Sequence, residues 1–227
     1  MASNDEKERA GDLLIQEVDE ELRAEHYAKL WKRYSPAIIA AALIVIVGVA
    51  GWQGWRSWRD RIRNAEAERF AAASTLAADG KTVAAAAAMG RLAADSRTGF
   101  AAVAAMDEAN LQIRAGDIKG ALATLDRLAS SDAPQSLRDL ASLKGALLAL
   151  KSDPAGAERR VGPLAASGNP WYYQAAEVMA LAARAKGDVA QASKMLKRLA
   201  DDPEAPQGVR ARAAELLAAP SPVAAKG

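Results

Sequence analysis

The pattern of hydrophobic and polar positions changes sharply at residues 34–55, which carry no formal charge and lie between Arg33 and Arg56. A helix of this length reaches about 33 Å, enough to cross a hydrocarbon core of about 30 Å. Its isoleucine, leucine and valine residues favour insertion into lipid. We therefore predict a transmembrane helix over residues 34–55. The alternatives are a buried helix of a soluble domain and a cleaved signal peptide.

Aromatic residues flank both ends of this apolar segment. Trp31 and Tyr34 lie at its start, and Trp52, Trp55 and Trp58 lie at its end. Amphipathic rings of this kind favour the headgroup regions of a bilayer. We therefore predict that these residues are membrane-interface anchors and that the lipid bilayer is a partner of the chain.

The two ends of the chain are short tails. In residues 1–33, apolar side chains recur at near-helical spacing, which predicts a tail that contains an amphipathic helix. The residues with this spacing are Leu14, Val18, Leu22 and Leu30. Residues 220–227 show no apolar periodicity, and we expect a disordered tail there.

The intervening segment, residues 56–219, contains an internal repeat. Residues 114–129 match residues 185–200, so that Gly116 and Gly187 are equivalent at an offset of 71. Stretches beginning near Gly80 and Asp153 hold the same pattern at about half that offset. Each turn leads into a helix, and we expect partner helices near residues 99–114, 135–151, 170–186 and 206–219. A helical hairpin that recurs at about 34 residues is typical of tetratricopeptide (TPR) repeats.

We therefore predict an all-α fold, with one N-terminal transmembrane helix followed by a degenerate TPR-like helical-hairpin solenoid. Chance similarity between alanine-rich helices is the alternative. Stacked hairpins bury their apolar faces against one another and leave a concave surface that suits peptides or partner domains. Small residues at equivalent positions of the repeats would allow helices to cross closely, and larger ones would fill the seams, which are the interfaces between packed helices. The small residues are Ala121, Ala157 and Ala192, and the larger ones are Leu125, Val161 and Leu196.

The composition agrees with close-packed helices, because 51% of residues are hydrophobic and only 5% are aromatic. The formal net charge is +2, from 30 basic and 28 acidic residues. Since this balance provides no strong positive field, we expect no nucleic-acid partner.

The sequence offers few residues for catalysis. It has no cysteine, and His26 is its single histidine. Thiol nucleophiles, disulfides and zinc sites built from cysteine or histidine are therefore excluded in residues 56–219. No phosphate-binding loop of the GxxxxGK[ST] type occurs. We expect no enzyme activity and no catalytic, cofactor-binding or metal-binding residues, and the remaining alternative is an enzyme that uses carboxylates alone.

Three large aromatic residues lie together in the sequence GNPWYYQAAE. They are Trp171, Tyr172 and Tyr173, in a segment with few other large rings. Such residues commonly fill a core, but tryptophan and tyrosine also dominate binding hot spots. We retain all three as candidate partner-binding residues.

The order of these parts resembles a known bacterial family, the TPR-like ancillary subunits of the Sec translocon. The resemblance rests on IQEVDEELRAEHYAKLWKRY, on GWQGWRSW and on LAARAKGDVAQASKML, and it extends from about residue 13 to residue 219. It implies an inner-membrane protein with one span, a cytoplasmic N-terminus and a periplasmic repeat domain. Its implied partners are Sec translocon subunits and a membrane-anchored, prolyl-isomerase-like periplasmic chaperone. The basic flanks of the span are nearly balanced, so charge alone leaves the orientation open.

We therefore expect a non-enzymatic, membrane-anchored adaptor that assists protein export and folding. A scaffold for envelope or cell-division complexes, with no link to secretion, is the alternative function. The repeats are richer in alanine than a standard TPR pattern, so the resemblance does not identify individual groove residues.

Overall fold

The computed structural model describes residues 2–96 and 98–219, with side chains from Trp31 onward except that of Ile38. The tail predicted at residues 220–227 lies outside the described residues. The side chains of Leu14, Val18, Leu22 and Leu30, which form the apolar face predicted in the N-terminal tail, also lie outside the described part, although the backbone at these residues is helical. The described residues form helices and connecting turns, without a strand. This confirms the prediction of an all-α fold.

Nine α-helices and one short 3-10 helix make up this described part. The helices are α1 (Ala2–Ala78), α2 (Thr82–Asp95), α3 (Phe100–Arg114), α4 (Ile118–Ala129), α5 (Gln135–Ala149), α6 (Pro154–Val161), α7 (Tyr172–Ala185), α8 (Val189–Asp201) and α9 (Gln207–Ala218), and the 3-10 helix is Gly162–Ala165. The partner helices predicted from the repeat are found as α3, α5, α7 and α9.

The chain divides into two compact units, Met1–Ile62 and Arg63–Gly227. In the first unit, the apolar residues from Ile39 to Trp58 are exposed. The segment Trp31–Ala78 contains the one stretch of the described chain that is long and apolar enough to cross a membrane, with a mean hydropathy of 2.2. Length and composition alone support this assignment, so the transmembrane helix stays a prediction.

The turns of the second unit follow the repeat. Gly80, Gly116 and Gly187 have positive φ angles of 77°, 82° and 87°, a conformation that glycine adopts without the steric cost of a Cβ atom. The aspartates at the helix starts accept hydrogen bonds from backbone N–H groups three residues ahead. Asp117 binds Gly120, Asp153 binds Gly156 and Asp188 binds Gln191. Each bond satisfies a donor that the first helical turn leaves free.

The core of the second unit is a row of four apolar clusters, each formed where neighbouring hairpins stack. The predicted crossing positions Ala121, Ala157 and Ala192 are buried, and the predicted seam residues Leu125, Val161 and Leu196 are among the largest fully buried side chains. Both predictions about the core are confirmed.

Helix α6 is shorter than α2, α4 and α8, which hold the equivalent positions in the other repeats. It ends at Val161, and the chain continues as the 3-10 helix Gly162–Ala165. Pro163 explains the change, because proline has no N–H group and its ring clashes with the preceding helical turn.

Candidate functional site

A cleft of about 860 Å³ opens in the second unit between α2, α3 and α4 and the loop that precedes α5. Most of the residues that line it are alanine, glycine or serine, and their small side chains leave the space empty. They include Gly90, Ala94, Ser96, Ala101, Ala105 and Ser131. The volume lies within the range of roughly 300–1,000 Å³ that is typical of ligand sites.

Glu108 is a buried carboxylate in the lining of this cleft, with a side chain that is 12% exposed. Its Oε2 accepts one hydrogen bond of 3.2 Å from Nη2 of Arg127. Its Oε1 accepts another of 3.2 Å from Nε2 of Gln112. Arg127 is mostly exposed, and its Nη2 also donates to Thr124 over 3.3 Å. Glu108 is therefore held by single, long contacts.

Burial raises the pKa of Glu108 above its ordinary value. The charge of Arg127 and the hydrogen bonds of Thr124 and Gln112 act in the opposite direction, but their effect is smaller. The removal of the carboxylate from water therefore outweighs the compensation that its neighbours supply. Asp132 also lines the cleft and adds a second acidic group.

The predicted interface anchors lie along α1. Trp31, Tyr34, Trp52, Trp55 and Trp58 are all exposed. The rings of Trp52 and Trp55 have their centroids 5.9 Å apart, and the guanidinium of Arg59 lies 4.1 Å from the centroid of Trp55. The role of these residues at a bilayer stays a prediction.

The aromatic patch is divided between two core clusters. Trp171 is half-buried and packs against the cluster that α5, α6 and α7 share, whereas Tyr173 packs against the cluster of α7, α8 and α9. The rings of Tyr172 and Tyr173 meet edge to face, with centroids 5.1 Å apart. Burial and the nearby acid Asp202 raise the pKa of Tyr173. Partner binding by these three residues stays a prediction.

Sequence reasoning missed the cleft and Glu108, although one signal was present. Ala101, Ala105, Glu108 and Gln112 follow helical spacing along one face of α3, so a carboxylate continues a stripe of alanine. In the described part of the chain, no group of three or more potential metal-ligating side chains gathers.

A comparison with protein families decides which fold family these hairpins represent. The sequence profile of the tetratricopeptide repeat-like domain matches residues 28–161. The chain belongs to the TPR-like family. Neither a curated protein nor a solved structure matches the chain.

The TPR-like assignment confirms the predicted repeat architecture. Domains of this family are generally non-catalytic modules that bind other proteins. The assignment therefore indicates an adaptor for protein–protein interactions. The match ends at Val161, the last residue of α6, so it covers the hairpins α3–α4 and α5–α6 completely, and the hairpin of α7 and α8 continues the same arrangement beyond it.

Proposed function

We propose that this protein is a membrane-anchored adaptor that holds partner polypeptides beside the bilayer. The observation that carries the proposal is the stack of TPR-like hairpins, which leaves a cleft lined by small residues and a buried carboxylate. The exposed apolar stretch of α1 supports the anchor, because a core helix of a soluble protein would be mostly buried.

Anchoring supplies the mechanism. A binding module confined to a membrane meets other membrane proteins at a high effective concentration, so that modest affinity suffices for capture. The partners in this proposal are Sec translocon subunits and a membrane-anchored periplasmic chaperone. Their support is the resemblance of residues 13–219 to the ancillary translocon family. The adaptor would hold the chaperone or an emerging chain beside the translocon.

Chemical cross-linking in membranes tests the choice of partners. After solubilisation and purification of the full-length chain, we expect translocon and chaperone subunits among the cross-linked proteins. Their absence contradicts the link to secretion. Cross-linked cell-division or envelope proteins in their place would support the alternative scaffold function.

The proposed location is the bacterial inner membrane, with the N-terminus in the cytoplasm and the repeat domain in the periplasm. The chain has no cysteine, so a single introduced cysteine can be labelled without background. In intact spheroplasts, a membrane-impermeant maleimide should label Ser130→Cys, which is at an exposed position of the second unit, and should not label Ser3→Cys. The reverse pattern contradicts this orientation.

A further inference from the structure

Two glutamates of the second unit are buried to the same extent but are neutralised differently. The side chains of Glu108 and Glu177 are each 12% exposed. Arg212 donates from Nε and Nη2 to the two carboxylate oxygens of Glu177, both over 2.7 Å. Arg127 gives Glu108 a single contact of 3.2 Å. Two parallel hydrogen bonds from one guanidinium form a stronger arrangement than a single longer one, so the charge of Glu108 is less completely neutralised than that of Glu177.

An unpaired hydrogen-bond acceptor also lies next to Glu108. Gln112 uses its amide nitrogen on Glu108, and its buried Oε1 atom has no hydrogen-bond partner in the described part of the chain. Buried polar atoms without partners are rare in native structures because they are costly. A ligand that brings hydrogen-bond donors would therefore suit Glu108, the member of this pair that lines the cleft.

The shape of the cleft agrees with this requirement. Gly90 lies against the carboxylate, since a Cβ atom added there would be 2.8 Å from Oε1 of Glu108. The alanines around it offer an apolar wall, against which an aliphatic stem can pack while its charged end reaches an acid. Among the described residues that line the cleft, the acids Glu108 and Asp132 outnumber the base Arg127. The cleft is therefore complementary to a cation.

We propose that this cleft receives a lysine or arginine side chain of a bound polypeptide, whose cation donates hydrogen bonds to Glu108. Arg127 turns toward solvent when the cation binds, which its large exposure allows. The inference rests on the proposed function as a polypeptide-binding adaptor and specifies the chemistry of the partner. A lone metal ion would leave most of the cleft empty.

Peptide selection on the full-length chain in detergent tests this inference. Phage displaying random peptides are selected on the immobilised protein, and the most enriched peptide is measured by fluorescence anisotropy. We expect lysine or arginine to be enriched at one position. Replacement of that residue by norleucine should weaken binding about 10- to 100-fold, the range expected for a hydrogen bond to a charged group.

Variants of the protein assign the effect to Glu108. Glu108→Gln should weaken the binding of the basic peptide by the same factor. The basic and norleucine peptides should then bind this variant with affinities within about twofold of each other. Glu177→Gln is the matched control and should leave affinity within about twofold. Arg127→Gln should strengthen binding severalfold, because it removes the internal competitor. A purely structural role for the Glu108–Arg127 pair predicts weaker binding in this last variant.

The outcomes separate this inference from the proposed function. Selected peptides without a basic position, or an unchanged affinity in Glu108→Gln, overturn the inference and leave the adaptor function standing. A failure to select any peptide contradicts both the occupied cleft and the binding of polypeptides. Thermal melting of each variant, followed by circular dichroism, shows whether a loss of affinity reflects a loss of folding. The norleucine peptide tests the same contact in the parent protein, whose folding no substitution has altered.

Discussion

The guanidinium of Arg160 donates two hydrogen bonds, of 2.8 and 2.7 Å, to the carboxylate of Asp126. Asp126 lies on α4 and Arg160 on α6, the second helices of neighbouring hairpins. Their separation of 34 residues is about one repeat, and the fork between Glu177 and Arg212 spans 35. Two pairs of equivalent helices, α4 with α6 and α7 with α9, are thus joined by forked ion pairs.

These two forks should contribute unequally to stability. Arg212→Gln leaves the carboxylate of Glu177 buried without its partner, whereas Asp126 is 48% exposed and stays hydrated in Arg160→Gln. We expect a loss of about 2 kcal/mol in the free energy of unfolding for Arg212→Gln and less than about 1 kcal/mol for Arg160→Gln. Urea denaturation followed by circular dichroism measures both. Equal losses would contradict the role assigned to burial.

The positive φ angle of Gly116 should make this turn sensitive to substitution. Gly116→Ala introduces no contact within 4 Å, so its cost comes from the backbone conformation alone, about 1 kcal/mol. Gly99→Ala is the control, because Gly99 has a φ of −60° and equally open space. Thermal melting should show a loss for Gly116→Ala and little change for Gly99→Ala. A similar loss in both variants would show that φ is not the cause.

The raised pKa of Glu108 predicts a pH-dependent effect of Glu108→Gln. A raised pKa means that the folded chain holds the proton more tightly than the unfolded chain does. This contribution favours folding below the ordinary glutamate pKa of about 4.3 and is lost as the pH rises through the raised value. Arg127 and Asp132 are the charged residues that share the cleft with Glu108.

Glutamine mimics the protonated acid, so Glu108→Gln should melt at a higher temperature than the parent chain at pH 7 and at a similar temperature near pH 4. Glu177→Gln is the control and should melt at a lower temperature at pH 7, because it weakens the fork with Arg212. A lower melting temperature for Glu108→Gln at pH 7 would contradict the incomplete neutralisation of Glu108.

The roles of Trp171 in packing and in binding can be separated by two substitutions. Trp171→Ala removes a half-buried ring from the cluster around Val161, and we expect a loss of about 2 kcal/mol in the free energy of unfolding. Trp171→Phe keeps much of this packing and should melt near the parent temperature. If Trp171→Phe also keeps its cross-linked partners, the predicted contribution of Trp171 to binding is wrong.

Much of the repeat domain could be predicted from the sequence because its signals are local. Gly116 and Gly187 mark turns whose backbone needs glycine, and Leu125 and Leu196 hold equivalent positions that both prove to be buried. The cleft could not be predicted in this way. Its volume depends on how closely alanine-rich helices cross, and the contact of Arg127 with Glu108 depends on that crossing. The forked ion pairs could be predicted in part, since an acid and an arginine that lie one repeat apart in the sequence are natural candidates for a pair.

The central claim of this account is that a helix in the bilayer anchors a polypeptide-binding domain. Alkaline carbonate extraction of membranes that contain the full-length chain tests it most directly. Ile44→Asp combined with Val47→Asp is the matched control, since each charge opposes insertion at the centre of a span by about 2.5–3.5 kcal/mol. The account predicts that the parent chain stays in the membrane pellet and that the double variant is released. Release of the intact parent chain into the supernatant would contradict the account.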